Sequence, residues 1–234
     1  MASTVKILCT TALKTSLDQL LPQFERASGY RVEPHYGPSA QLAGRLAEGE
    51  VADAVVLTGP GIDEMVKAGK IVAGTRLDIA SSETMVGVKS GTPKPDISTV
   101  EKFKQAMLAA KSIAYSGPGA GASGAHVAKV FADLGILDAT KPKTVLGPGG
   151  PQGLIGNYLV RGEAEIGMQQ DAELMMVPGV DIIGPLPPGI ALTTTFVFAV
   201  HAGAKDQAAA KAIGEHLRSP EARTVMKAKG LTPA

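Results

Sequence analysis

Two periodicities alternate along this chain, and their order predicts the architecture. Val5 to Cys9 is a short apolar run, and Thr10-Thr11-Ala12 follows as a polar turn. Leu13, Leu17, Leu20, Leu21 and Phe24 then recur at helical spacing, and Gly29 is placed to end that helix. Tyr30 to Tyr36 alternates as a strand does. Gly37-Pro38-Ser39 is the next turn, with Ser39 expected to cap a helix that carries Leu42, Ala43 and Leu46 and closes at Gly49. Asp53 to Leu57 reads as a buried strand, Thr58-Gly59-Pro60-Gly61 as a turn, and Ile62 to Ala68 as a helix. Strand and helix repeated three times predict a parallel sheet with helices on its faces.

Thr84 to Lys89 and Thr194 to His201 read as two longer strands that flank a second α/β set. Within it, Ser98-Thr-Val-Glu101 has the spacing of a capping box ahead of a helix with Phe103 and Met107. A central strand follows, then Thr144 to Gly147, then a helix with Leu154, Ile155, Tyr158 and Leu159. Glu165 to Gln169 is a further strand, Ala172 to Met176 a short helix, and Asp181 to Gly184 closes the set. Helices near Asp206–Arg218 and Ser219–Lys229 end the chain. The expected fold is α/β: two Rossmann-like lobes joined by two crossover strands near 84–89 and 194–201. The first lobe is 1–83 plus 199–234, and the second, 84–198, is inserted in it.

The second set is organised around Ser112 to His126, where a short strand runs into Gly117-Pro-Gly119-Ala-Gly121 and Ser123 is expected to cap the next helix. Val127, Val130, Phe131 and Leu134 form that helix's apolar face. Strand, glycine loop and helix start together make an anion seat, because free N–H groups and the helix dipole converge there. A loop that only turns the chain is the plainer reading. A nucleotide fingerprint is disfavoured, since the stretch lacks the Lys-Ser/Thr ending of a P-loop and misses the G-x-G-x-x-G spacing. Ligands in open α/β sheets sit beyond the carboxyl ends of the strands. There the turns carry Thr10, Thr11, Ser39, Thr58, Ser116, Ser123 and Gln169, and this recurrence of small hydroxyls and amides is the functional signal.

Composition narrows the classes. The 234 residues, 44% hydrophobic and 19% charged, describe a folded protein with a substantial core. A net charge of +1 without a basic run argues against a nucleic-acid partner, and 4% aromatic residues without Trp leave few stacking platforms. The single cysteine, Cys9, excludes an internal disulfide and has no adjacent His to make it a nucleophile. No His/Cys/carboxylate cluster has metal-ligand spacing, so no metal and no cofactor are expected. The eight methionines read as packing residues. No stretch reaches membrane-spanning length without Gly, Pro or charge. The chain enters a strand within a few residues, so no signal peptide is expected in this sequence, and Met1-Ala2-Ser3 suits an engineered start. A mature exported, periplasmic protein and a cytoplasmic one both fit.

The order of these pieces resembles the type II extracellular solute-binding proteins of ABC importers, in the branch grouped with molybdate-binding proteins. The resemblance covers nearly the whole chain. It rests on Leu13-Lys-Thr-Ser-Leu17, Gly37-Pro-Ser-Ala-Gln-Leu42 and Ala52-Asp-Ala-Val-Val-Leu-Thr58. It continues through Lys111-Ser-Ile-Ala-Tyr-Ser116, Arg161-Gly-Glu-Ala-Glu-Ile-Gly167 and Pro178-Gly-Val-Asp-Ile-Ile-Gly-Pro185. It implies a monomeric binding protein whose lobes close on a small anion and pass it to an ABC permease. Ser39 matches the family's second-loop serine, and Ser123-Gly124 and Gln152 fall where its main-chain contacts lie. Two positions depart: Ala12 stands before Leu13, with Thr11 one residue earlier, and Gln169 stands where a Tyr is expected. The added amide and space favour a small organic carboxylate over a tetrahedral metal oxyanion.

The same branch includes a periplasmic aconitate isomerase, so the resemblance also implies that such a site can host chemistry. Moving a double bond in an unsaturated polycarboxylate needs a positioned base and donors for the enolate-like charge. His35, His126 and Tyr115 are the candidate bases. Several of the residues singled out have a plainer reading: His126 as a helix-surface or packing histidine, Thr10 or Thr11, Ser39 and Ser123 as caps, and Gln169 and Gln170 as partners for main-chain groups. The effector domain of a LysR-type regulator shares the fold, but no helix-turn-helix precedes Val5.

Overall fold

The structure is a computed structural model that describes residues 4–234; Met1-Ala2-Ser3 lies outside the described residues. The chain runs β1 (Thr4–Thr10), α1 (Lys14–Ser28), β2 (Arg31–Gly37), α2 (Ser39–Ala47), β3 (Ala54–Thr58), α3 (Gly59–Lys67) and β4 (Leu77–Lys89). It continues as α4 (Val100–Ala109), β5 (Ile113–Ser116), α5 (Ala122–Asp133), α6 (Leu137–Thr140), β6 (Thr144–Gly147), α7 (Ile155–Val160) and β7 (Ile166–Gln170). The last elements are α8 (Asp171–Leu174), β8 (Val180–Pro185), β9 (Thr193–Val200), α9 (Gln207–His216), α10 (Pro220–Lys227) and β10 (Thr232–Pro233). Two compact units result. One runs up to Ser81 and resumes from Thr195 to Ala234; the other is Ser82–Thr194.

In the first unit β1 lies between β2 and β3, parallel to both, with Cys9 opposite Tyr36 on one side and Val56 on the other. β9 pairs antiparallel with β3, and β10 with the start of β4. Val5, Ile7, Leu8 and Cys9 are all fully buried, which is why β1 shows no polar alternation. Leu42 and Leu46 of α2 and Ile62 and Met65 of α3 pack with Leu8, Val55 and Leu57.

The second unit repeats the plan around β5, which is parallel to β6 and β7. β4 closes the sheet antiparallel to β7 and also pairs with β8, with a register shift between Val86 and Gly87. Val127, Val130 and Phe131 of α5 pack with Phe103, Met107, Ile113 and Met168. Full burial contributes roughly 1.5–3 kcal/mol for each such side chain.

Several expected boundaries move. β4 begins at Leu77, ahead of Thr84, and the Thr58-Gly59-Pro60-Gly61 turn is the first turn of α3, whose early Pro needs no N–H. Ser39 is the first residue of α2, not its cap, which is Pro38. Ser123 likewise lies inside α5, whose cap position is Gly121. The α4 cap is Thr99, accepting from the Lys102 N–H, one residue after the expected Ser98. Sequence patterning also misses α6 and β10.

Candidate functional site

Parallel pairing brings the carboxyl ends of β1, β2 and β3 to one edge of the first unit's sheet. Thr10 stands opposite Gly37 there, and each strand runs directly into a polar turn. Thr10 and Thr11 are 6% and 1% exposed, and the Thr11 hydroxyl has no hydrogen-bond partner among the described residues. Thr10 and Thr11 open a single 3-10 turn (Thr11–Leu13) that leads into α1, and neither side chain caps it. Ser39 is partly buried, and its hydroxyl accepts from the Thr58 N–H at 3.3 Å, joining the turns after β2 and β3. α2 and α3 both start without a side-chain cap. The first turn of α2 forms its first internal bond only at Leu42 N–H to Pro38 O, so the N–H groups of Ser39, Ala40 and Gln41 lack helical partners.

In the second unit the carboxyl ends of its own parallel strands carry Ser116 at the end of β5, opposite Gly147 at the end of β6. The pairing of Tyr115 with Met168 places Gln169 beside Ser116 in register. Ser116 and Ser123 are each 2% exposed. The start of α5 is pressed onto β5: a Cβ on Gly124 would lie 1.9 Å from the Ser116 carbonyl oxygen, so only Gly fits. The first internal bond of α5 is Ala125 N–H to Gly121 O at 3.2 Å, which leaves the N–H groups of Ala122, Ser123 and Gly124 without helical partners. Gly117 N–H donates to Gly147 O at 2.8 Å, tying the β5 and β6 turns together. After β6 the chain turns on Gly149 and Gly150, at φ +74° and +72°, conformations that favour glycine, and exposed Gln152 follows.

Gln169, 1% exposed, accepts the Ile155 N–H on its Oε1 at 2.7 Å and so supplies the acceptor-starved start of α7 with an acceptor. Of its two expected roles, main-chain satisfaction is therefore occupied at this oxygen. Its amide also donates toward Glu173, as does the Gln170 N–H. Burial outweighs these donors and raises the Glu173 carboxyl to about 7. Burial, with help from Glu83, also raises Asp171. Opposite Gln170 on β4 stands Thr84. The Thr84 and Thr194 hydroxyls and the Gln170 Oε1 are all buried without a hydrogen-bond partner among the described residues. Sequence reasoning pointed to Gln170, as the neighbour of Gln169 at the end of a buried strand, and missed Thr84, Glu173 and Thr194 as site neighbours. Gln170-Asp-Ala-Glu173 did carry a signal, since Glu three residues after a helix cap is capping-box spacing.

The three candidate bases have separate partners. His126, on α5, contacts the Ile190 carbonyl through Nε2 at 2.7 Å. His35, on β2, pairs with Glu33 at 2.8 Å. Tyr115 is 5% exposed, edge-on to Phe131 in the core, where burial raises its hydroxyl pKa. Among the described residues no group of three or more His, Cys, Asp or Glu is placed to hold a metal, and no helix is long and apolar enough to cross a membrane. Both units thus hold the same local chemistry: uncharged hydroxyls beside open helix starts, with no Lys or Arg among the expected contact residues. Such an arrangement suits a small anion, to which each charge-assisted hydrogen bond contributes roughly 1.5–3 kcal/mol.

Known proteins show which family and fold this chain shares. The chain is 32% identical to an aconitate isomerase of Pseudomonas sp. over 99% of its own length and 88% of that protein's. It is 27% identical to the molybdate-binding protein ModA of Azotobacter vinelandii, covering 98% of this chain and 90% of ModA. The solved Azotobacter vinelandii periplasmic molybdate-binding protein superposes with a TM-score of 0.79 at 20% identity, over 97% of this chain and 98% of that one. That superposition shows the expected type II periplasmic-binding-protein fold. The sequence pattern of bacterial extracellular solute-binding proteins matches residues 5–232, and the chain belongs to that family.

Proposed function

We propose that the protein is a periplasmic carrier that binds a small anion on its strand-end turns and delivers it to an ABC permease. Thr11, Ser39 and Thr58 would serve in the first unit, and Ser116, Ser123, Gly124 and Gln152 in the second. Thr10 and Gln169 would support them, Thr10 by placing the first turn and Gln169 by holding the start of α7. One observation carries the reading: every helix of eight or more residues that starts at a parallel strand end lacks a side-chain cap. Donors left open in this way, beside hydroxyls and without cations, suit an anion that arrives already charged. A small organic carboxylate is the favoured ligand, because Gln169 replaces the expected Tyr with a smaller side chain.

Calorimetric titration with trans-aconitate, citrate, sulfate and molybdate tests this. Binding of a carboxylate is the expected result, and no binding by any of the four would reject it. A second reading is supported by the aconitate isomerase relative: the same turns would hold an unsaturated polycarboxylate while a base moves a proton. Incubation with trans-aconitate decides between the two, since appearance of cis-aconitate would retire the pure carrier. His126, on the helix that begins with Ser123 and Gly124, is the first base to substitute.

A further inference from the structure

The β7–α8 turn holds a carboxyl group in an unusual setting. Glu173 receives only neutral donors, the Gln169 amide and the Gln170 N–H, and no salt bridge reaches it among the described residues. One hydrogen bond away, Gln169 stands beside Ser116 at the strand ends, and its other amide atom holds the start of α7. An anion at those turns would therefore meet a partly buried carboxylate that nothing neutralises. Two like charges linked through one residue in a poorly screening interior favour uptake of a proton by the weaker acid.

We propose that Glu173 takes up a proton when an anion binds at the strand-end turns of the second unit, so that ligand and proton are bound together. The inference rests on the anion reading above. Geometry selects Glu173 over its neighbours. The elements packed against α8 are α7, β7, β8 and also β4, which carries Glu83 and whose Ser82 hydroxyl accepts the Ala172 N–H. β7 carries no charged residue, and Arg161, just after α7, is paired with Glu163. Asp181 on β8 is paired with Lys94. Asp171 lies on α8 itself and feels Glu83, whereas no charged group contributes to the shift of Glu173. Its carboxyl, raised to about 7 by burial, is half protonated near neutrality and so is the group most easily tipped. A further rise of about one pH unit on ligand binding would take up about 0.4 proton per anion near pH 7. Affinity would then increase up to about tenfold as pH falls from about 9 to about 6.

The test is calorimetry of the intact protein with trans-aconitate, sulfate and molybdate near neutral pH, in two buffers of different ionisation enthalpy. These anions do not titrate there, so a buffer-dependent heat reports protons taken up by the protein. The expected result is uptake of about 0.4 proton in the wild type. In Glu173→Gln the uptake should be abolished, with affinity independent of pH and near the wild-type low-pH value. Binding with equal heats in both buffers overturns this inference and leaves the anion reading standing. Uptake that survives Glu173→Gln and disappears in Asp171→Asn also overturns it. No binding by any of the three anions overturns both. If Glu173→Gln does not fold, the wild-type affinity series across pH decides alone, and a flat series is the contrary result.

Discussion

Two sets of helices differ in how they begin. α4, α9 and α10 start on their own side chains: Thr99 accepts from Lys102 N–H, Asp206 from Ala209 N–H, and Ser219 from Ala222 N–H. α1, α2, α3 and α5 follow a parallel strand almost directly, and none has a side-chain cap. Capping contributes about 1 kcal/mol to stability, so leaving it out at four strand ends forgoes several such contributions. Local helix stability explains the first set. Under the proposed function the second set holds donors open for a ligand, with the hydroxyls of Thr11, Ser39 and Ser123 assigned to contact it.

The comparison can be broken first at Gly124, where α5 meets β5. Gly124→Ala would push a Cβ into the Ser116 carbonyl. A loss of about 3 kcal/mol or more in urea unfolding is expected, because backbone on both sides must move. An unchanged midpoint would mean that α5 does not rest on β5 as described.

Substitutions in the two sets should then divide cleanly. Thr11→Ala and Ser39→Ala are each expected to weaken anion binding about tenfold, through loss of a charge-assisted bond. Thr11→Ala should leave stability unchanged or slightly raised, since it removes a buried hydroxyl that has no partner. Asp206→Ala and Ser219→Ala should do the reverse, losing about 1 kcal/mol of stability with affinity untouched. Paired calorimetry and chemical denaturation read both quantities on each variant.

The smallest effect sharpens the account at α8. Because the folded state raises Glu173 from 4.5 to about 7, its contribution to stability is full below the ordinary value and is lost as pH rises through about 7. Glu173→Gln should therefore exceed the wild type in stability by up to about 1 kcal/mol near pH 8, a figure reduced for the side chain's partial exposure. The difference should vanish by about pH 4. Thermal melts across that range measure it.

Most of the fold was legible because strand, turn and helix each leave a distinct period, and the buried strands β1, β3 and β5 are nearly continuous in apolar residues. Helix starts were read less well, and for a physical reason. Ser39 and Ser123 satisfy the usual capping preference, yet the cap positions fall on Pro38 and Gly121, which have no side-chain acceptor to offer. The expected binding hydroxyls were legible as strand-end residues. Thr84 and Thr194 were not, since their setting comes from packing between distant parts of the chain: Thr84 meets Gln170 only through β4–β7 pairing. Glu173 takes its donors from Gln169 and Gln170 nearby in the chain, but its burial is set by the tertiary packing around α8. Gln169 was legible as polar and buried, but its bond to Ile155 N–H joins two turns that sequence spacing alone does not bring together.

The contrast between open and capped helix starts can be seen directly in amide proton–nitrogen spectra recorded while trans-aconitate is added. The N–H groups of Ser39, Ala40, Ser123 and Gly124 should shift markedly and saturably, while those of Lys102, Ala209 and Ala222 stay in place. Shifts confined to the capped helices, or none at the open starts on saturation, would contradict the account.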